Sequence, residues 1–168
     1  MNIFVTSVDP VACAKHLDDK RVVKMVLESA QLLSNALHLH GVSEAPYKLT
    51  HKSHPCTKWA AEKRSHYMWL FDHFVALCDE YTYRYKKIHK CEQFFDVFMS
   101  HEKSIPDGGR LTSFQNSSGF VGGHVCECYK LCMIKKWTQT DKRPAKWTNR
   151  QIPYWALNHK EDLVCASV

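Results

Sequence analysis

The sequence predicts a mainly α protein, a single-domain compact helical bundle over residues 1–168 with a short extended N-terminal arm and an aromatic-basic C-terminal segment. Three observations predict it. Apolar residues recur at helical spacing in two long stretches, helix start and stop residues bracket those stretches, and only residues 2–7 (NIFVTS) alternate as extended chain does. Hydrophobic residues make up 45% of the chain and aromatics 12%, enough for a real core and against disorder.

The elements follow in order. Asp9-Pro10 offers an N-cap and a proline at the first helical position. A helix should run from there to about Leu39, with a bend near Asp18-Asp19, until Gly41 stops it. Residues 41–54 read as a polar loop. Ser53-His54-Pro55 opens a second helical unit, on which Trp59, Tyr67, Leu70, Phe74, Leu77 and Tyr81 recur, running to about Lys87 with a break near Ser65. So long a unit needs a partner, and the first helix is the natural one. Cys91–Ser100 forms a short amphipathic helix. Residues 101–124, with five glycines and Asn116-Ser117-Ser118, read as a long loop of the kind that is often functional or mobile. Helix resumes from about Val125 to Trp137, and the tail 138–168 is irregular, with a turn near Pro153–Leu157, and packs on the core.

Composition excludes several classes. No apolar run of about 18 residues is present, so a membrane partner is not expected, and MNIFVTSVDP lacks the basic start and apolar stretch of a signal peptide. The reading is cytoplasmic. The eight cysteines, Cys165 among them, are then reduced and mostly buried. His124 to Cys132 (HVCECYKLC) has a metal flavour but no paired C-x2-C knuckles, so no metal and no cofactor is expected. Net charge is +6, and the excess gathers late: Lys130, Lys135, Lys136, Lys142, Arg143, Lys146 and Arg150 are opposed locally only by Asp141. Trp137, Trp147, Tyr154 and Trp155 are interleaved. That mixture suits a phosphate backbone with stacking platforms; tryptophans docked on the core are the alternative, which leaves the charge unexplained.

KHLDDKRVVKMVLESAQ (15–31) raises the chemical question. On one continuous helix, with His16 at zero, Lys20 falls at about 40°, Gln31 at about 60°, Lys24 at about 80° and Glu28 at about 120°. The polar file is narrow and its apolar surround wide. It is either an ordinary wet edge or the floor of a site, and its narrowness argues for partial burial, where charges must be paired or functional. A carboxylate (Asp19 or Glu28) near amines can support acid–base or imine chemistry. A second group is DEYTYRYKKIHK (79–90), where Glu80, Arg84, Lys87 and His89 follow one another along a helix; Arg84 either grips a phosphate or pairs with a carboxylate. A third is His51, His54, Lys58 and His66. No G-x-S-x-G, H-E-x-x-H or P-loop occurs.

Taken together, MNIFV, D-P, KHLDDKRVVKM with its following Glu and Gln, HPCTKW and YMWL through EYTYRY resemble, over most of the chain, a family of small phage-encoded proteins. That resemblance implies a phage origin and work in the host cytoplasm during infection. More distantly, the layout is similar to the pyrimidine-dimer DNA glycosylases of the endonuclease V type. Those are all-α proteins in which the chain's own α-amino group, beside a carboxylate and basic residues of the first helix, attacks the sugar's anomeric carbon, expels the base through an imine and then cuts the strand. The resemblance implies double-stranded DNA as partner and a glycosylase/lyase activity. It places the amine at Met1, because Asn2 is too large for efficient Met removal, and α-amines in general titrate at about 7.7–8.0, leaving a useful unprotonated fraction. His16-Leu17 matches a His-Leu of that family. Where the family reads Arg-Glu, this chain reads Lys20-Arg21, so the carboxylate at the matching position is missing and Asp19 or Glu28 must replace it.

The expected catalytic set is therefore Met1, Asp19, Lys24 and Glu28. The expected DNA contacts are His16, Lys20, Arg21, His54, Arg84, Lys87, His89, Lys135, Lys136, Arg143, Lys146 and Trp147. The competing expectation is a non-catalytic phage protein that binds nucleic acid or blocks a host factor; a metal-dependent enzyme using His51, His54 or His124 with nearby cysteines is a third. Nothing in the sequence indicates an oligomeric state.

Overall fold

A computed structural model describes residues 1–159; the end of the expected tail, with Cys165, lies outside them. The described chain is mainly α. Its helices are α1 (Pro10–His16), α2 (Asp19–Leu39), α3 (Pro55–Glu62), α4 (Arg64–Tyr85), α5 (Phe95–Ser100) and α6 (Val125–Lys135). Single 3-10 turns occupy Lys90–Phe94, Glu102–Ser104 and Tyr154–His159, and α6 runs into one π turn at Lys136–Thr140. Residues 1–9 form an irregular arm, turned at Asn2–Phe4 and bent over residues 6–9 rather than extended throughout as expected, and no strand forms among the described residues.

Local chemistry sets the boundaries. Asp9 caps α1, its carboxylate accepting from the Val11 N–H at 3.0 Å, with Pro10 at the first position. α2 ends in a Schellman turn: Val42 N–H returns to Leu37 O and Gly41 N–H to His38 O at 3.1 Å each, with Gly41 at φ +81°. His54 caps α3. The expected bend at Asp18-Asp19 is a full break, because Leu17 and Asp18 are extended (ψ 143° and 164°). The continuous wheel assumed for residues 15–31 is thereby corrected, and His16 leaves the polar file. The second helical unit breaks at Lys63, two residues before Ser65.

α4 is the centre of the bundle. It packs on α1 and α2, and α3 closes against α2 and α4. Val22, Met25, Leu33, Leu70 and Phe74 are among the side chains buried there, and Phe98 of α5 packs edge-on against Phe74. Burial of such residues drives the association, at about 1.5–3 kcal/mol per fully buried side chain.

The glycine-rich loop is pinned along its length. Trp59 Nε1 donates to Ser113 O at 3.1 Å, His66 Nε2 meets Thr112 Oγ1 at 2.9 Å, and Phe114 wedges between Trp59 and Trp69. His124 caps α6 with its side chain, and Cys126, Cys128 and Cys132 are buried packing residues. Among the described residues no group of three or more His, Cys, Asp or Glu is placed to hold a metal ion. No helix of the described residues is long and apolar enough to cross a membrane.

Candidate functional site at the start of the chain

Glu28 lies midway along α2 with its side chain largely covered. Oε2 accepts the Asn2 peptide N–H at 3.0 Å, and Oε1 pairs with Lys24 Nζ, one turn earlier, at 3.1 Å. Covalent geometry puts the Met1 α-nitrogen about 3–4 Å from that of Asn2, so it lies near this carboxylate without being ion-paired to it. Met1 itself is half-buried against the core.

Asn2 fixes this arrangement. Its Oδ1 accepts from Ile3 N at 2.7 Å and Phe4 N at 3.3 Å, and its Nδ2 donates to Ser117 O at 3.1 Å. The tight turn leaves Phe4 at φ +54°, a strained conformation for a bulky residue. Packing holds it there: the Phe4 ring meets Tyr129 edge-on at 6.2 Å, with Lys136 Nζ 5.9 Å and the Arg21 guanidinium 6.0 Å from its centroid. Ser117 is held in turn by Tyr129, whose hydroxyl accepts the Ser117 N–H at 3.0 Å and donates to Gln115 O at 3.1 Å. The chain terminus is thus clamped between α2 and the glycine-rich loop.

Two further side chains approach from α3. His54 Nδ1 accepts the Cys56 N–H at 3.1 Å, so the neutral ring carries its proton on Nε2. Burial first, then the positive chain terminus and His51, pull its pKa below the ordinary histidine range, with Glu28 opposing. Cys56 is buried 3.6 Å from Ser117 Oγ, and burial pushes its thiol up, away from the reactive thiolate.

A basic rim surrounds this point. Lys24 and Lys20 are exposed on α2, with Val23 and Leu27 exposed beside them; the file is wet rather than sealed. Lys135 is exposed and reaches over Phe120 at 6.0 Å, and Lys136 covers Phe4. Toward the start of α2, Lys20, Lys142, Arg143 and Lys146 line a groove of about 770 Å³ with Asp18, Asp19 and Asp141. Those carboxylates are engaged. Lys20 Nζ meets Asp141 Oδ1 at 3.2 Å, and burial alone would raise Asp141, yet Arg21 and Lys20 outweigh it and hold the carboxyl low.

Several expected DNA contacts are corrected by their surroundings. Arg84 is fully buried, donating to Glu80 Oε1 at 2.7 Å, Asp19 Oδ1 at 2.9 Å and Lys15 O at 3.3 Å. Arg21 is buried between Asp18 Oδ1 and Asp141 Oδ2, each at 2.8 Å. Trp147 packs on Trp137 and donates to His16 O at 3.1 Å, so it is a core residue and not a stacking platform. His16 bonds Thr6 through Nδ1 at 3.0 Å; burial, then Lys130, pull it to about 4, which keeps it neutral. None of the four offers a free cation or an open ring to a phosphate backbone, because charges under a bundle must be paired. Asp19 lies about 13.5 Å along α2 from Glu28, and its carboxylate binds Arg84 and both the N–H and hydroxyl of Thr148 (2.9 and 2.7 Å). Lys87 is exposed beyond α4, and His89 caps the 3-10 turn at 90–94 against Tyr81.

Asn2 and Ser117 are the site residues that sequence reasoning missed as such. The one local signal was Asn2 itself, a residue type that hydrogen-bonds its own following backbone.

A family model described as pyrimidine dimer DNA glycosylase matches residues 1–93, which span α1 to α4 and carry Met1, Lys24, Glu28 and His54. Neither a curated protein nor a solved structure matches the chain. The match covers more than half of the 168 residues, and the chain belongs to the pyrimidine dimer DNA glycosylase family.

Proposed function

We propose that the protein is a DNA glycosylase with an associated abasic-site lyase step, acting on damaged duplex DNA through the α-amine at Met1. The observation that carries this reading is the contact of Glu28 Oε2 with the first peptide N–H of the chain at 3.0 Å. It brings the start of the chain against a largely covered carboxylate, with the terminal amine one residue away and Lys24 one turn away along α2.

The chemistry follows from that pairing. The unprotonated amine bonds to C1′ of the target nucleotide. The C1′–N bond to the base breaks, its electron pair leaves with the base, and the base takes up a proton. Opening of the C1′–O4′ bond, with proton transfer to O4′, leaves a protonated imine between the α-nitrogen and C1′. Loss of a C2′ proton then expels the 3′ phosphate, and water hydrolyses the imine to return the amine. Glu28 stabilises the positive charge that builds on the sugar and the imine and passes protons between these atoms. Lys24, Lys20, Lys135 and Lys136 neutralise phosphates around the target, and Arg143 and Lys146 extend the basic track along the groove. His54, with Nε2–H free, offers a neutral donor to the same backbone. The target sugar must be exposed by extrusion or kinking of the duplex.

The test is borohydride trapping on duplexes carrying an abasic site or a cyclobutane pyrimidine dimer, with the adduct mapped by mass spectrometry. An adduct on Met1 is the expected result. An adduct on Lys20 or Lys24 keeps the imine and moves the nucleophile. No adduct, with salt-sensitive DNA binding retained, replaces this reading with a non-catalytic binding protein.

A further inference from the structure

The glycine-rich loop does more than hold the chain terminus. Between Gly119 and Gly122 it projects Val121, whose surface is 96% exposed, the most exposed large apolar side chain among the described residues. An isolated surface valine needs no explanation. This one stands at the tip of a loop that is built to hold it out.

Five hydrogen bonds hold the tip in place. Asn116 Nδ2 donates to Phe120 O at 2.9 Å, and the Ser118 N–H and hydroxyl both donate to Asn116 Oδ1, at 3.0 and 2.6 Å. The Phe120 N–H donates to Ser118 Oγ at 3.1 Å. On the far side, Cys128 Sγ donates to Gly122 O at 3.2 Å. Gly119 and Gly122 sit at φ +82° and +87°, where other residues are strained, so both turns of the excursion depend on glycine. Phe120 backs the tip, half-buried against the core beneath Lys135.

The same loop touches the candidate site. Ser117 accepts the Asn2 side chain that positions the terminus on Glu28, and Val121 is four residues further on, within roughly 14 Å of chain. Lys135 lies over Phe120 and Lys136 over Phe4, and Lys24 pairs with the Glu28 that receives the Asn2 N–H. An apolar tip on a rigid loop, with cations beside it and the amine at its base, fits a particular occupant. DNA-bending proteins insert such side chains between base steps, and base-acting enzymes must unstack their target.

We propose that Val121, backed by Phe120, is the wedge that enters the duplex beside the target nucleotide and exposes its sugar to the chain terminus. This rests on the DNA-acting reading above. Val121 is then a positioning residue, required for duplex substrate and dispensable where no stack has to be opened.

The experiment compares the full-length protein with Val121→Ser and Val121→Leu. Cleavage is measured on an abasic site in duplex and in single-stranded oligonucleotides of the same sequence. A duplex carrying a tetrahydrofuran abasic analogue next to 2-aminopurine reports unstacking by fluorescence. The expected result is a fluorescence rise with the unaltered protein and Val121→Leu, lost in Val121→Ser, together with an about tenfold fall in the duplex-to-single-strand rate ratio for Val121→Ser. A Val121→Ser protein that keeps both the fluorescence rise and the rate ratio overturns the wedge alone. An unaltered protein that cleaves neither form overturns the lyase reading and the wedge with it.

Discussion

Glu28→Gln separates the chemistry of the site from its architecture. The amide keeps an oxygen able to accept the Asn2 N–H, so the clamp on the first residues survives in a weaker, neutral form. That weakening is about 1 kcal/mol. Lys24 loses its partner, but its side chain is 65% exposed and the i,i+4 pair stabilises the helix by only about 0.3–0.5 kcal/mol. The summed loss lowers the melting temperature by about 3–6 °C in a chain of this size. Removing the carboxylate charge is a different matter. A group that shuttles protons and offsets a growing cation contributes about 10²–10⁴ in rate, equivalent to about 3–5 kcal/mol of transition-state stabilisation. Single-turnover cleavage of an abasic duplex should therefore fall at least a hundredfold while urea unfolding moves little and DNA affinity holds. A rate within about threefold of the unaltered protein would remove Glu28 from the reaction. A collapse of stability with activity per folded molecule intact would make it purely structural.

Two other perturbations test the frame around the site. Arg84→Met strands Glu80 and Asp19 without their shared guanidinium; Glu80 retains Arg150 at 2.9 Å and Asp19 retains Thr148, so the loss should sit near 3 kcal/mol, the low end for a broken buried pair, read from urea midpoints and partly recovered in Arg84→Met/Glu80→Gln. Acid should destabilise the protein in a histidine window: burial holds His73 at about 4 against an unfolded value near 6.5, so the unfolded chain binds the proton first, and about 3 kcal/mol present above pH 6.5 is lost as pH falls toward 4. Burial likewise holds His66 and His89 low, which adds to the slope; Glu80 and Asp141 are held below their ordinary values, so their contribution is lost only at still lower pH. Urea midpoints that stay flat from pH 7 to 4.5 would contradict this.

Local chemistry was legible and long-range chemistry was not. Asp9-Pro10, Gly41 and His54-Pro55 announced three helix boundaries because a cap acts within four residues of itself. The carboxylate question stayed open for the opposite reason. Asp19 and Glu28 are both carboxylates on one predicted helix, yet Asp19 is taken by Thr148 and Glu28 is met by Asn2, partners 129 and 26 residues away, while neighbouring Asp18 is buried under Trp137. The wheel also assumed an unbroken helix, and two extended residues at 17–18 were enough to move His16 out of line. Arg84 and Arg21 read as phosphate ligands because sequence shows a charge without its burial. The glycine-rich loop read as functional or mobile; its attachments, to Asn2, Trp59, His66 and Tyr129, come from side chains elsewhere in the chain.

Those attachments bear on how the chain divides its work. The family match ends at residue 93, and although Arg21–Asp18, Arg84–Asp19 and Arg84–Glu80 pair inside it, the matched half satisfies its charges only in part. Asp18 needs Trp137 Nε1 at 2.9 Å, Arg21 needs Asp141 at 2.8 Å, Asp19 needs Thr148, and Glu80 needs Arg150. Cut away from residues 113–150, the helices would carry exposed or unpaired ions at the places where they now pack, a penalty of several kcal/mol per ion for any that stayed buried. The terminus would also lose Ser117, the acceptor that turns Asn2 toward Glu28. The second half therefore completes the site rather than decorating it. It supplies the loop that clamps the terminus, the Lys135–Lys136 rim and the exposed tip at Val121, while Met1 and Glu28 remain in the first. Under the proposed function, the way duplex DNA is gripped and opened can vary in the second half while the amine–carboxylate pair stays as it is in the first.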